Sequence, residues 1–433
     1  GLLLLIEAAM MLLPVICELI CADGSVFHFL IPFALTAAAG FGLVRLRPQS
    51  HEMGRREAIL LTALTWVILS LFGMLPFIFA GTHMTVTDAF FESINDFTTT
   101  GGCSFPPLEE SGHALLLWRS LMRWLGGMGI ILFTLAVLNN SGGIFLFNAE
   151  ITGITHDKLR PRISSTARGL WIVYTLLTAA LVGLLCICMD PFEAVCDGMS
   201  VISTSGFATI DVDGSLADSY YLKSVLVIFM FLGGVNFSLI YKACHFHDVR
   251  ANTTLRWYLL FILAAYVMLT LNVIHQGLWH HPDDITIDPL FQVVATISST
   301  GISEPDFDQW GPLSTIVLVI LMFVGACSGS TSGGSKIDRV IVLIKFLKNE
   351  FFKMMHPNNI TAVTINGKGM KLGLVQKTLA FLCLYVIVIF VSGMVLVMLG
   401  VSLRESFFYT LSAISNAGIG TDTVGLGQGF SAL

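Results

Sequence analysis

Thr99-Thr100-Gly101-Gly102 closes an apolar stretch, residues 86–98, that is too short to cross a bilayer. The arrangement recurs at Thr204-Ser205-Gly206-Phe207 after 191–203, at Ser299-Thr300-Gly301-Ile302 after 287–298, and at Asn416-Ala417-Gly418-Ile419 after 405–415. Each short stretch is approached by a long apolar helix candidate, and the first three are followed by another. A long helix, a half-length helix, a glycine turn and a return is the pattern of a re-entrant pore loop. Non-helical backbone at membrane depth is tolerated only where protein buries it or a cavity wets it, so each loop implies a path for water. Four such loops can close a ring around one axis, and a ring of carbonyl oxygens is how proteins replace the water around a monovalent cation. Four Gly-rich turns outside the membrane are the weaker alternative.

Outward from these segments the chain reads as a polytopic membrane protein. Its 433 residues are 55% hydrophobic and only 12% charged, against about 25% charged in a soluble domain. Candidate spans are 1–22, 27–46, 58–81, 115–138, 169–189, 220–242, 257–276, an interrupted run 312–347, and 374–400. The expected fold is all-α: an extra N-terminal hairpin (1–46), then four pseudo-symmetric helix–pore loop–helix repeats at 58–138, 169–242, 257–347 and 374–433. No closing helix follows the fourth glycine segment before Leu433, so the fourth repeat reads as incomplete. The start at Gly1 reads as a fragment. Residues 1–20 lack the basic region and cleavage site of a signal peptide.

Charge distribution sets the expected orientation. Of 23 Lys and Arg residues, 19 fall in segments 45–57, 158–168, 242–256 and 336–377, which the positive-inside rule places in the cytoplasm. The glycine segments then lie toward the outside, with 20 of the 29 acidic residues. That acidity is either a vestibule that concentrates cations or ordinary loop composition. Nothing points to nucleic acid. The basic face, 336–377 above all, suits a regulator or anionic lipid.

The four cores contain Thr, Ser, Gly, Asn and Ala but no carboxylate. Hard monovalent cations take oxygen ligands, and glycine lets the backbone turn its carbonyls toward an axis. Thr99, Thr100, Gly101, Gly102, Thr204, Ser205, Gly206, Phe207, Ser299, Thr300, Gly301, Ile302, Asn416, Ala417, Gly418 and Ile419 are the candidate ion-binding filter. A transported monovalent cation is the expected occupant there, and no cofactor or other metal is expected. A second feature is Gly325-Ala326-Cys327-Ser328-Gly329-Ser330-Thr331-Ser332-Gly333-Gly334-Ser335-Lys336, which breaks the longest apolar run. It reads as an intramembrane gating loop, with Gly325, Ser328, Gly329, Ser330, Thr331, Gly333, Gly334 and Lys336 its key residues. A static kink or a cytoplasmic turn is the alternative.

With these segments goes a resemblance over essentially the whole chain. The anchors are Asp88-Ala89-Phe90-Phe91-Glu92-Ser93 leading to Phe97-Thr98-Thr99-Thr100-Gly101, then Trp118-Arg119-Ser120 and Trp124-Leu125-Gly126-Gly127-Met128-Gly129-Ile130-Ile131. Phe231-Leu232-Gly233-Gly234-Val235-Asn236-Phe237 and the Gly325–Lys336 loop complete them. The sequence resembles the Trk/Ktr/HKT superfamily of potassium transporters, most closely its bacterial Trk-type membrane subunits. The resemblance implies potassium uptake across the bacterial cytoplasmic membrane, a homodimer, and gating by a separate cytoplasmic nucleotide-binding ring. It matches the filter glycines to Gly101, Gly206, Gly301 and Gly418, and glycine at all four favours potassium over sodium. Departures are Gly102-Cys103 in the first filter, Ile419 where proline is common, and the missing final helix with its basic residue.

The remaining features leave alternatives open. Arg119 and Arg123 pair with Glu92 or Asp96, or else reach the outer interface. Cys103 and Cys196 are within range of a disulfide that nothing requires. His245-Phe246-His247-Asp248 and His280-His281 read as surface. A sodium- or proton-coupled potassium symporter is the alternative within transport, and it needs a second ion site. An intramembrane enzyme is remote: there is no HExxH pair and no GxxxxGK[ST] motif. The chain is therefore read as a transporter, not an enzyme.

Overall fold

The computed structural model describes residues 1–21, 24–46, 55–81, 84–101, 112–129, 163–206, 219–244, 252–279, 281–303, 307–357 and 361–419. Their regular elements are helices and one short hairpin. They fall into two compact units that part near residue 211, inside the second expected repeat.

The first unit holds α1 (Leu2–Cys21), α2 (Phe27–Arg45), α3 (Arg55–Gly73), α4 (Leu75–Phe79), α5 (Val86–Thr98), α6 (His113–Gly127), α7 (Ile163–Leu185) and α8 (Pro191–Ile202). α1 packs along α2 and also meets α6; α3 lies on α5, α6 contacts both α5 and α8, and α7 lies on α8. α5 starts at a capping box: the Asp88 N–H donates to Thr85 Oγ1 and the Thr85 N–H to Asp88 Oδ2, both at 3.2 Å. Its 13 residues reach about 20 Å at 1.5 Å per residue, short of the ~30 Å hydrocarbon core. Aromatic side chains fix α6 in place. Trp118 is fully buried and donates to the Gly73 carbonyl at 3.0 Å. Trp124 stacks on Tyr174, with ring centroids 5.4 Å apart.

The second unit holds α9 (Tyr220–Gly234), α10 (Phe237–Cys244), α11 (Thr253–Gln276), α12 (Asp283–Ile297), α13 (Gly311–Val324), α14 (Ile337–Met355), the strands β1 (Thr364–Ile365) and β2 (Lys368–Gly369), α15 (Leu372–Met398) and α16 (Leu403–Ile414). α12 is the centre of this unit and packs on α9, α11 and α13; α15 joins α14 to α16.

The run 220–242 is not one continuous helix: α9 and α10 meet at 105°. Gly233-Gly234 ends the first helix, and Asn236 starts the second by accepting the Ser238 N–H on Oδ1 at 2.8 Å. The all-α expectation holds, with one short hairpin that it did not anticipate. Its turn is Asn366-Gly367, both at positive φ, the residue pair that a tight two-residue hairpin favours. Ile365 packs there with Val342, Val363 and Val375.

Six described helices are long and apolar enough to cross a bilayer: Leu2–Cys21, Phe27–Arg45, Ile59–Phe79, Ala167–Leu185, Thr253–Gln276 and Leu372–Met398. α15 exposes Leu384, Ile387, Phe390, Val391 and Met394, an apolar surface suited to lipid rather than water.

Candidate ion site and gating loop

The helices α5, α8, α12 and α16 share one ending. After α5, the Thr99 N–H donates to the Asp96 carbonyl and the Thr100 N–H to the Asn95 carbonyl, at 3.2 and 3.0 Å. The same pair recurs as Thr204→Val201 and Ser205→Ser200, as Ser299→Thr296 and Thr300→Ala295, and as Asn416→Ala413 and Ala417→Ser412. This is the Schellman arrangement, which places one residue in the left-handed region. Thr99, Thr204, Ser299 and Asn416 have φ of 55°, 54°, 55° and 53°. Two residues on, Gly101, Gly206, Gly301 and Gly418 also have positive φ, at 84°, 89°, 80° and 68°. Left-handed backbone at non-glycine residues costs about 1–3 kcal/mol each and persists where its surroundings impose it.

Hydroxyl pairs brace three of these turns. Thr98 and Thr100 oxygens lie 2.8 Å apart, Ser203 and Ser205 2.8 Å, and Ser298 and Thr300 2.7 Å. Ala417 removes the partner in the fourth turn, where Ser412 Oγ donates to the Ile419 carbonyl at 2.8 Å instead. Each helix carries acid in its first turn, namely Asp88, Glu193, Asp283 with Asp284, and Glu405. That suits the positive end of the helix dipole and leaves the negative end at the glycine turn, where a cation is favoured. Gly102 and Phe207 lie outside the described residues.

Close backbone approach holds the turns against their neighbours. In the first unit, a Cβ on Gly126 would strike the Phe97 carbonyl, and one on Gly127 would lie 2.6 Å from the Ser203 Cβ. The adjacent glycines of α6 thus let it rest on the first two turns. In the second unit, a Cβ on Gly301 would strike the Ala417 carbonyl, so the third and fourth turns meet backbone to backbone.

Buried charge supports the first turn. Arg119 Nη2 lies 2.5 Å from Glu92 Oε1, and Arg123 Nε lies 2.6 Å from Asp96 Oδ1. Arg119 Nε is 3.7 Å from Asp96 as well. All four residues are buried, so the pairing alternative holds and the interfacial one does not. Glu92 and Asp96 therefore do not line a vestibule; their charge is spent on the arginines. In the second unit, Lys223 Nζ pairs with Asp288 Oδ1 at 2.6 Å. Sequence reasoning missed this pair because 65 residues separate its members. Cys196 is a buried free thiol, while Cys103, His245–Asp248 and His280 lie outside the described residues. No group of three or more His, Cys, Asp or Glu that could hold a metal occurs among the described residues.

Gly325–Lys336 is non-helical, lying between α13 and α14. Gly325, Gly329, Gly334 and Lys336 all have positive φ. The break between α9 and α10 receives one side of the loop. The Cys327 N–H donates to the Gly234 carbonyl at 3.1 Å, the Phe237 N–H to the Gly329 carbonyl at 3.0 Å, and Asn236 Nδ2 to the Ser328 carbonyl at 2.5 Å. Thr331 Oγ1 donates to the Gly233 carbonyl at 3.2 Å, and Ser330 Oγ donates to the Cys327 carbonyl within the loop at 2.6 Å. Lys336 Nζ donates to the Ser332 carbonyl. Asp338 steadies the inner end, accepting Thr254 Oγ1 at 2.5 Å and the Ser328 N–H at 3.3 Å. The role of Asn236 was missed, although Gly-Gly-x-Asn before a new helix is a capping signal.

Residues 25–432 match the TrkH family, described as "Cation transport protein". The chain belongs to the TrkH family. Trk system potassium uptake protein TrkH of Escherichia coli is 31% identical over 435 residues, covering 98% of this chain and 90% of that protein. Trk system potassium uptake protein TrkI of Halomonas elongata is 30% identical over 425 residues, covering 95% and 84%. The crystal structure of the potassium transporter TrkH from Vibrio parahaemolyticus superposes with a TM-score of 0.88 at 28% identity, covering 99% of this chain and 91% of that one. This TrkH-family chain is a multi-pass protein of the bacterial cytoplasmic membrane and a transporter rather than an enzyme.

Proposed function

We propose that this protein carries potassium into the cell through a gated, channel-like pore whose filter is built from the four glycine turns. The observation that carries the reading is the fourfold recurrence of one unusual backbone: two Schellman hydrogen bonds, a left-handed non-glycine residue, and glycine at positive φ two residues later. Strain repeated at equivalent places implies a shared task. Carbonyl and hydroxyl oxygens without carboxylates suit a monovalent cation that must bind and leave. Relatives named as Trk potassium uptake proteins support potassium as the ion. A membrane potential of 100 mV contributes about 2.3 kcal/mol per monovalent charge, so passive flow suffices for uptake. The Gly325–Lys336 loop is the gate, the protein works as a homodimer, and a separate cytoplasmic regulator acts through the basic face that includes 336–377.

The test is rubidium, potassium and sodium flux in proteoliposomes, with Gly101→Ser alongside. Potassium and rubidium flux should exceed sodium flux, and Gly101→Ser should erase that preference. A robust flux whose selectivity ignores Gly101→Ser would remove the filter assignment.

A further inference from the structure

We infer that Ser299, in the third filter turn, is the latch that holds the gating loop shut, and that the loop opens by swinging its Ser332–Gly334 limb while Cys327–Thr331 stays docked. The inference rests on the pore reading above and adds the element that links filter to gate.

The left-handed backbone at Ser299, with φ of 55°, accompanies a side chain that leaves its own turn. By contrast, Thr204, at the same place in the second turn, donates to the adjacent Ser203 carbonyl at 2.7 Å. Ser299 accepts the Gly333 N–H on Oγ at 2.6 Å and donates to Ser332 Oγ at 3.0 Å. Ser332 Oγ donates in turn to the Ile297 carbonyl at 3.5 Å. The chain of donors thus runs from the loop backbone, through two hydroxyls, to the last residue of α12. Gly333 also lies on the fourth turn, since a Cβ there would strike the Ser415 carbonyl. The limb is therefore seated against the third and fourth turns together, while Ser299 supplies the polar hold.

The two halves of the loop are held unequally. Cys327–Thr331 is bonded to the α9–α10 break through Gly233, Gly234, Asn236 and Phe237. Outside the loop, Ser332 and Gly333 are held by Ser299 of the third turn and by one long bond to the Ile297 carbonyl. Lys336 Nζ holds the Ser332 carbonyl from within the loop, and Gly334, at φ 75°, follows as a hinge. Opening at this limb breaks the two bonds to Ser299 and the long one from Ser332 Oγ to the Ile297 carbonyl, and spares those to the α9–α10 break. The left-handed position accepts threonine, as Thr99 and Thr204 demonstrate, so a conservative variant can keep the hydroxyl.

The experiment uses the full chain without its regulator and reads two signals. Amide hydrogen exchange is followed over the peptides that carry Gly333 and 327–331, and rubidium flux is followed in proteoliposomes, for wild type, Ser299→Ala, Ser332→Ala and Ser299→Thr. Ser299→Ala should speed exchange at Gly333 and raise rubidium flux, each about tenfold, roughly the value of one net hydrogen bond. Exchange at 327–331 should not change, Ser332→Ala should have a smaller effect on exchange, and Ser299→Thr, which keeps the hydroxyl, should restore wild-type exchange at Gly333. Unchanged exchange at Gly333 in both alanine variants overturns the latch, whatever the flux. Faster exchange at Gly333 with unaltered flux overturns the gate reading on which the latch depends.

Discussion

Gly301→Ala tests the contact between the third and fourth turns. Two terms add. Gly301 has φ of 80°, and left-handed backbone costs a non-glycine residue about 1–2 kcal/mol. The new methyl also overlaps the Ala417 carbonyl and comes within 3.1 Å of its carbon, and overpacking of this kind costs about 1–3 kcal/mol. The sum is about 2–5 kcal/mol, and its second part falls on a carbonyl of the proposed filter. Gly277→Ala is the control. Gly277 has φ of 71° with no atom within 4 Å of its Cβ position, so it carries the first term alone. Potassium and sodium fluxes are measured for both variants, with thermal unfolding in detergent as the stability readout. Gly277→Ala should lose about 1 kcal/mol of stability and keep its transport. Gly301→Ala should lose potassium flux by about 30-fold or more, the factor that 2 kcal/mol represents. Equal transport by the two variants would refute the argument that backbone contact between turns shapes the filter.

Removing the Arg123 guanidinium in Arg123→Met leaves the buried Asp96 carboxylate with Arg119 at 3.7 Å. Unfolding measurements should record a loss of about 3–5 kcal/mol, part of which Asp96→Asn in the same chain should recover. Lys223→Met should cost less, about 1–3 kcal/mol, because Asp288 keeps 16% of its side chain exposed and water can rehydrate it. An equal loss at both sites would show that burial does not set the difference.

Much of the local structure was legible along the chain. Apolar length marked the spanning helices. Thr85 with Asp88, and Ser402 with Glu405, cap the starts of α5 and α16, a local signal that the sequence reading did not pick up. Glycine marked one left-handed position in each of the four turns, at Gly101, Gly206, Gly301 and Gly418, but not the other, which Thr, Ser or Asn occupies. Hydroxyls two residues apart, as at Thr98 and Thr100, were also visible, although their bracing of the turns was not recognised. Each of these signals acts within a few residues, through backbone sterics and local hydrogen bonds.

What the tertiary structure alone decided lies at long separation. The bend between α9 and α10 makes sense once the Gly325–Lys336 loop is seated in it, with Asn236 bonded to Ser328 across 92 residues. Whether Arg119 and Arg123 turned inward depended on where α5 packs, and Lys223 found Asp288 because α9 crosses α12. The contact of Gly301 with Ala417 joins the turns that follow α12 and α16, far apart along the chain. Sequence patterns record which backbone conformations and which solvent each segment prefers. They do not record which buried polar group meets which, because in an apolar medium that choice is made by the packing that removes every other partner.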